Sequence, residues 1–550
     1  MTRSRSLGIA FILLTAVAVT SSPSMAVEIN KDFIQNGRVL VKGSPIHGSN
    51  GLAFDTLDRL HIASVLGREI VVMNPKNGKI LDRLGPAAGV ESPDDITFGP
   101  LGSVYQDDIF WTAIFTGEVG RLTPDGVKIT VGQVFPGVNP ITFSDDGRLF
   151  VAHDFFGFAG LYEMDPEGID PPTLLDPNFY NLNGFDFGPD GLLYGPIFQE
   201  RILRIDVDSG SPPLWSEDII NPFASAAVKF NSEDRLFALN VEQVVEIDPA
   251  TGAFEVVAPH VGPGLDNLAF DSRGRIYVSS FVDGSIYTIL PSGKARTISR
   301  GGMIVPGGVA VLPGRHGRGS LVVADTFSFR KFNARTGKPG RVEEVFGTAG
   351  TVAPYGDDLL TTAWFNSAIE IRDGKTLELI DGPHPFNLPL NGISFQGDVA
   401  VAELGSGSVV RGDHTTIASG FFVPSGLAAI ESDLFVADWA TGFVIQIVDD
   451  GVPVNIPVAS GLVQPEGMAV NTDGSLLVVE SGAGRLTRID LDTGEVTVIV
   501  EGLEVGSPGP PGYPPTSFFS GVAVDRAGYI YVTAEAASRL YRFKQHPRRR

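Results

Sequence analysis

A short apolar motif recurs eleven times along the chain, and this repetition limits the fold more than any other feature. Six copies end in Phe: GLAF at 51–54, DITF at 95–98, PITF at 140–143, GFDF at 184–187, AVKF at 227–230 and NLAF at 267–270. Five further copies follow: GVAV at 308–311, GISF at 392–395, GLAA at 426–429, GMAV at 467–470 and GVAV at 521–524. The first six Phe are 44, 45, 44, 43 and 40 residues apart, and a degenerate twelfth copy fits near 350–353. Each copy continues through a turn such as Asp145-Asp146-Gly147 into a second apolar run (RLFVAH at 148–153). A third run ends in an acidic turn (RIDLDTG at 488–494), and a fourth follows (EVTVIVEG at 495–502). Alternating runs of four to seven residues bounded by D-x-G turns are antiparallel strands joined by hairpins. Four strands per period of this length is a propeller blade. A series of β-sandwiches would not repeat one sequence in every copy.

Strand counting sets the expected architecture: all-β, two tandem six-bladed β-propellers with four-stranded antiparallel blades. The last copy has no fourth strand, whereas RVLVK at 38–42 precedes the first. That leading strand is expected to complete the sixth blade, and KARTIS at 294–299 the twelfth, so that each ring is closed by its leading outer strand. The domains expected are 37–293 and 294–544, with a basic tail at 545–550. A single twelve-bladed ring fits the same count but exceeds the usual blade number. The insertion LEVGSPGPPGYPPTSFF at 503–519 and the basic turn GRHGRG at 314–319 break the rhythm. Long loops on rigid scaffolds often carry binding contacts.

The chain begins with Arg3 and Arg5, an apolar run at 7–19 and Ser24-Met25-Ala26. This reads as a signal peptide over 1–26, so the protein is expected to be exported, periplasmic or secreted. Arg3 and Arg5 are not adjacent, and no Cys follows, so neither a twin-arginine route nor a lipid anchor is expected. No other apolar stretch approaches a membrane span. With no cysteine, core burial alone must hold the fold. The 66 glycines and 39 prolines argue against a helical bundle. Forty-one basic against 64 acidic residues, a net charge of −23, disfavour a nucleic-acid partner.

In a blade the start of strand one and the end of strand two share one mouth of the channel. The first ring's blade starts carry Asn50, Asp94, Asn139, Asn183, Ala226 and Asp266, and its strand-two ends include His153. In the second ring Asn391 and Glu466 stand at blade starts, and Asp325, Glu403, Asp438 and Glu480 at strand-two ends. Converging carboxylates repel one another unless compensated. A divalent cation with oxygen ligands, Ca²⁺ above all, is the natural compensation, and these eleven Asn, Asp and Glu positions are the candidate ligands. The same residue types also cap local backbone where a loop enters a strand. Asp94, Asp266 or His153 would serve as a base toward water, although a His beside Asp154 is commonly structural. With no cysteine, no G-x-S-x-G and no phosphate loop, nucleophilic and nucleotide chemistry are not indicated.

The blade pattern resembles the NHL-repeat and SMP-30/gluconolactonase-like group of six-bladed propellers. The matches are Ser49-Asn50-Gly51-Leu52, Leu182-Asn183-Gly184-Phe185, Leu390-Asn391-Gly392-Ile393 and Pro465-Glu466-Gly467-Met468. The resemblance implies a divalent cation at a channel mouth, bound by Glu, Asn and Asp at blade starts, and hydrolysis of lactones or related esters. By position, Asn50, Asp94, Asn139, Asn183 and Asp266 match in the first ring, and Asn391 and Glu466 in the second. The family's first-blade Glu is replaced here by Asn50. A non-catalytic propeller that binds a protein, glycan or small molecule is the other expectation, since fold alone does not decide function.

Overall fold

The computed structural model describes residues 26–314 and 319–546. The expected signal peptide, apart from Ala26, most of the basic turn and the end of the tail lie outside the described residues. Among the described residues no helix is long and apolar enough to cross a membrane.

Twelve antiparallel sheets follow one another along the chain. Blades 1 to 6 span 52–84, 93–133, 138–176, 186–220, 228–258 and 265–299, each with four strands in chain order. Blades 7 to 12 span 309–349, 351–385, 389–419, 424–459, 465–501 and 522–545. Thr351–Tyr355, the innermost strand of blade 8, is the degenerate repeat. In blade 7 one long strand, Ser320–Asn333, pairs with both Val309–Leu312 and Pro339–Ala349.

Packing shows that there are two rings. Apolar side chains between neighbouring blades form separate clusters, one per blade pair. Leu52, Ile62 and Val71 of blade 1 pack with Tyr277 and Ile286 of blade 6, which closes ring one. Val309 and Leu321 of blade 7 pack with Tyr531 and Leu540 of blade 12, which closes ring two. A single twelve-bladed circuit is thereby excluded.

The repeated Phe has a specific task in ring one. Each packs edge-on or tilted against an aromatic ring of the preceding blade's second strand: Phe54 on Tyr277, Phe98 on His61, Phe143 on Phe110, Phe187 on Phe150, Phe230 on Tyr194 and Phe270 on Phe237. Their centroids are 5.0 to 5.3 Å apart. Such pairs add about 0.5–1.5 kcal/mol each beyond their burial. The motif's glycine marks close approach at the ring axis. A Cβ on Gly51 would lie 2.4 Å from Asp95 Oδ1, and one on Gly467 2.4 Å from the Ser520 carbonyl oxygen.

Ring closure corrects the sequence-based expectation. Ala295–Ser299 pairs with Ile286–Ile289 in blade 6 and stays in ring one. The leading strand, Ile34–Lys42, pairs with Arg539–Gln545 and completes blade 12, while Glu28–Ile29 adds a fifth strand to blade 11. The reason is local. The turn at 291–293 folds 295–299 straight back onto its neighbour, with Leu290 N–H donating to the Lys294 carbonyl at 2.9 Å. That hairpin forms without long-range loop closure, so blade 6 has no vacancy for a distant strand. Ring one closes without an exchanged strand: Ser49 Oγ donates to the Ser280 carbonyl (2.9 Å), and Ser279 Oγ to that of Asn50 (2.6 Å). Residues 44–302 are therefore an insertion within ring two. The two junctions meet where Ser44 N–H donates to the Met303 carbonyl at 2.8 Å.

Candidate functional site

The mouth of ring one opens into a chamber covered by ring two. The blade starts bring Asn50, Asp94, Asn139, Asn183 and Asp266 to its floor. The turns after the second strands of blades 1 to 4 and 6 raise apolar walls, among them Phe115, Phe156 and Phe281. Ring two contributes Phe346, Trp364 and Phe365. The insertion at 503–519 crosses between the rings. Its Tyr513 packs on Phe115 (centroids 5.0 Å) and Trp364 (5.6 Å), and Pro510 and Phe518 line the chamber. The space between floor and walls, counted together with the open solvent at its mouth, is about 1170 Å³.

The floor is strongly electronegative. Burial, then the neighbouring charge of Asp266, and then Asp95 and Asp154, hold the Asp94 carboxyl well above the ordinary carboxylate range. Asp266 is raised likewise by burial, then by Asp95 and Asp154, with a hydrogen bond from Asn50 opposing. Two of these groups escaped the blade-start pattern. Asp154 accepts hydrogen bonds at Oδ2 from Asn139 Nδ2 (3.2 Å) and Asn183 Nδ2 (2.8 Å), while its buried Oδ1 has no partner. Burial pushes its carboxyl up to about 7. Asp95 reaches across the channel to accept from Asn267 Nδ2 (3.0 Å) of blade 6. Each adjoins a position chosen from the sequence, so adjacent acids were the signal.

Other candidates lie elsewhere. His153 is fully buried, its Nε2 is 3.0 Å from the Phe135 carbonyl oxygen, and it does not line the chamber. Burial lowers its pKa. The acids at the strand-two ends of ring two do not share a centre. Each accepts hydrogen bonds from the loop that leads into its own blade. Asp325 accepts from Ile304 and Val305 N–H (both 2.8 Å) and pairs with Arg330 (2.7 Å). Glu403 accepts from Asn387 N–H (2.8 Å), and Asp438 from Phe422 (3.0 Å) and Val423 (3.1 Å). Glu480 accepts from Val463 N–H (2.7 Å) and from Arg485 through two bonds of 2.8 Å. They latch loop to blade, because backbone donors entering a buried strand need acceptors. Asn391 lies instead among apolar side chains of the ring-two channel. Glu466 accepts from Ser520 N–H (2.7 Å) and faces Glu535, which the repeat pattern did not single out.

Among the described residues, no three His, Cys, Asp or Glu side chains are grouped to hold a metal ion. A cation on the ring-one floor would therefore need the amide oxygens of Asn50, Asn139 and Asn183 beside Asp94 and Asp266. This hard-oxygen set suits Ca²⁺, and no Lys or Arg lines the chamber to compensate the acids instead.

No protein-family model matches the chain, and no curated protein matches it. Among solved structures it is similar to a gluconolactonase from Xanthomonas campestris at 16% identity, over 48% of this chain and 96% of that one, with a TM-score of 0.37. It is also similar to the extracellular domain assigned to a hybrid two-component system of B. thetaiotaomicron, at 11% identity, over 92% and 82% of the two chains, with a TM-score of 0.33.

Proposed function

We propose that the protein is an exported hydrolase of a lactone or ester, acting at the mouth of ring one. The observation that carries this reading is the convergence of two aspartates, Asp94 and Asp266, with three asparagines on the floor of one covered chamber. Asp94, Asp266, Asn50, Asn139 and Asn183 would hold a divalent cation. When bound, it supplies Lewis acidity toward the substrate carbonyl. The chain's own part is proton handling. A carboxylate with a raised pKa takes a proton from the water that attacks the carbonyl carbon. The C–O bond then breaks, and the leaving oxygen receives that proton, giving a hydroxy acid or an acid and an alcohol. The covering ring limits the access of bulk solvent to the floor, which strengthens each electrostatic contact there.

The test is metal analysis of the purified protein, followed by a lactone and ester screen with and without Ca²⁺ and chelator. Chelation is expected to abolish turnover. Asp94→Asn and Asp266→Asn should each lower kcat by at least about 100-fold with unchanged circular dichroism. A protein that takes up no divalent cation and opens no lactone is not this enzyme.

A further inference from the structure

Resting on that reading, we infer that the chamber takes a lipophilic lactone or ester, a mostly apolar molecule with a single oxygen-bearing end, and that ring two is present to form its apolar wall. The polarity of the chamber is divided. Every Asn and Asp that lines it belongs to ring one and lies on the floor. Above them the walls are largely aromatic and aliphatic. Phe155 stacks toward Phe346 across the ring boundary with centroids 6.2 Å apart, and Phe156 meets Phe365 at 6.5 Å. These contacts leave much of the aromatic surface uncovered: Phe346 is 50% exposed, Phe365 41% and Phe156 36%. Exposed aromatics clustered inside a concavity mark a binding surface rather than ordinary surface scatter.

A polyhydroxylated sugar lactone fits this division poorly. Each hydroxyl brought against the wall would lose water without gaining a partner. An alkyl or aryl lactone would gain from the same burial, and its carbonyl would reach the floor. Ring two adds no acid or amide to the floor. What it adds is the wall, through Phe327, Phe346, Trp364 and Phe365, and the insertion that Trp364 Nε1 holds by donating to the Ser517 carbonyl (3.3 Å).

The experiment uses the full mature chain and the neutral fluorophore N-phenyl-1-naphthylamine as reporter. Competition is measured with γ-dodecalactone, glucono-δ-lactone and dodecyltrimethylammonium, on the wild type and on the Asp94→Asn/Asp266→Asn double variant, so that binding is read apart from turnover. Dodecalactone is expected to displace the reporter at a concentration at least about 30-fold below that of gluconolactone. Phe346→Ser and Phe365→Ser should each weaken dodecalactone about tenfold. Both side chains are substantially exposed, so the fold should tolerate the change. Phe254→Ser, remote from the chamber, should have no effect. Equal competition by the two lactones, preferred displacement by the ammonium, or indifference to Phe346→Ser and Phe365→Ser would overturn the inference. Apolar binding without turnover of any lactone in Ca²⁺ would instead remove the hydrolase reading and leave the chamber's preference standing.

Discussion

Glu466 and Glu535 show how one residue's setting can oppose its neighbour's. Both are buried and share Ser520, which donates from N–H to Glu466 (2.7 Å) and from Oγ to Glu535 (2.8 Å). Burial, then the charge of Glu535, pushes Glu466 up to about 8, and burial pushes Glu535 up to about 7. The folded state therefore binds more protons than the unfolded chain between about pH 4.5 and 8. The pair's contribution is most favourable below that window and is lost as pH rises through it. Melting curves should show a lower Tm at pH 8.5 than at pH 5.5. Glu466→Gln, which keeps an acceptor for Ser520, should narrow that difference. An unchanged difference in the variant would show that the slope arises elsewhere. Neither carboxylate's partner could be read from spacing, because Glu466 and Glu535 are brought together by the neighbouring blades 11 and 12.

At the scale of elements, the inter-blade latch is the recurring device. In four blades of ring two an acid at the end of strand two holds the loop that enters the blade, and in ring one His153 and Ser64 make the comparable contact through carbonyl oxygens at 3.0 and 3.1 Å. Asp325 is the most demanding case, being fully buried and dependent on Arg330 for its charge. Arg330→Ala should cost about 3 kcal/mol, as expected when one member of a buried pair is removed. Asp325→Asn should cost less, because an amide oxygen still accepts from Ile304 or Val305. Urea titration of the two variants measures this, and equal costs would mean that the charge of Asp325 is not what Arg330 satisfies. The residue types at these positions were plain in the sequence. Their direction was not, because a carboxylate at a strand end can turn to the channel or to the incoming loop, and the backbone donors that decide it lie 15 to 21 residues away.

For the whole molecule, the consequential fact is that ring one sits inside ring two. The strand Ile34–Lys42 contributes Ile34 to the core between blades 11 and 12 and Leu40 and Val41 to that between blades 7 and 12. Deleting residues 26–42 should therefore unfold ring two at a lower temperature and spare ring one. Proteolysis of the truncated chain should then leave a resistant fragment near residues 44–302. A fragment from the C-terminal half would contradict the topology. The same deletion should weaken apolar binding, since ring two walls the chamber.

The periodic Phe and Gly, the D-x-G turns and the strand count determined by themselves that the chain is built of twelve like blades, since these are local matters of hairpin formation and axis packing. The Asn and Asp of ring one's mouth were legible for the same reason, as the hairpin fixes which end of each strand faces the channel. Only the tertiary structure decided which ring each spare strand completes, because a strand's hydrogen-bonding edge does not name its partner and local hairpin closure takes precedence over a distant vacancy. It also decided that aromatics such as Phe156 and Phe365, which look like ordinary turn residues in sequence, meet across two rings to form one apolar chamber. That meeting depends on how the rings lie against each other, which no period in the sequence encodes.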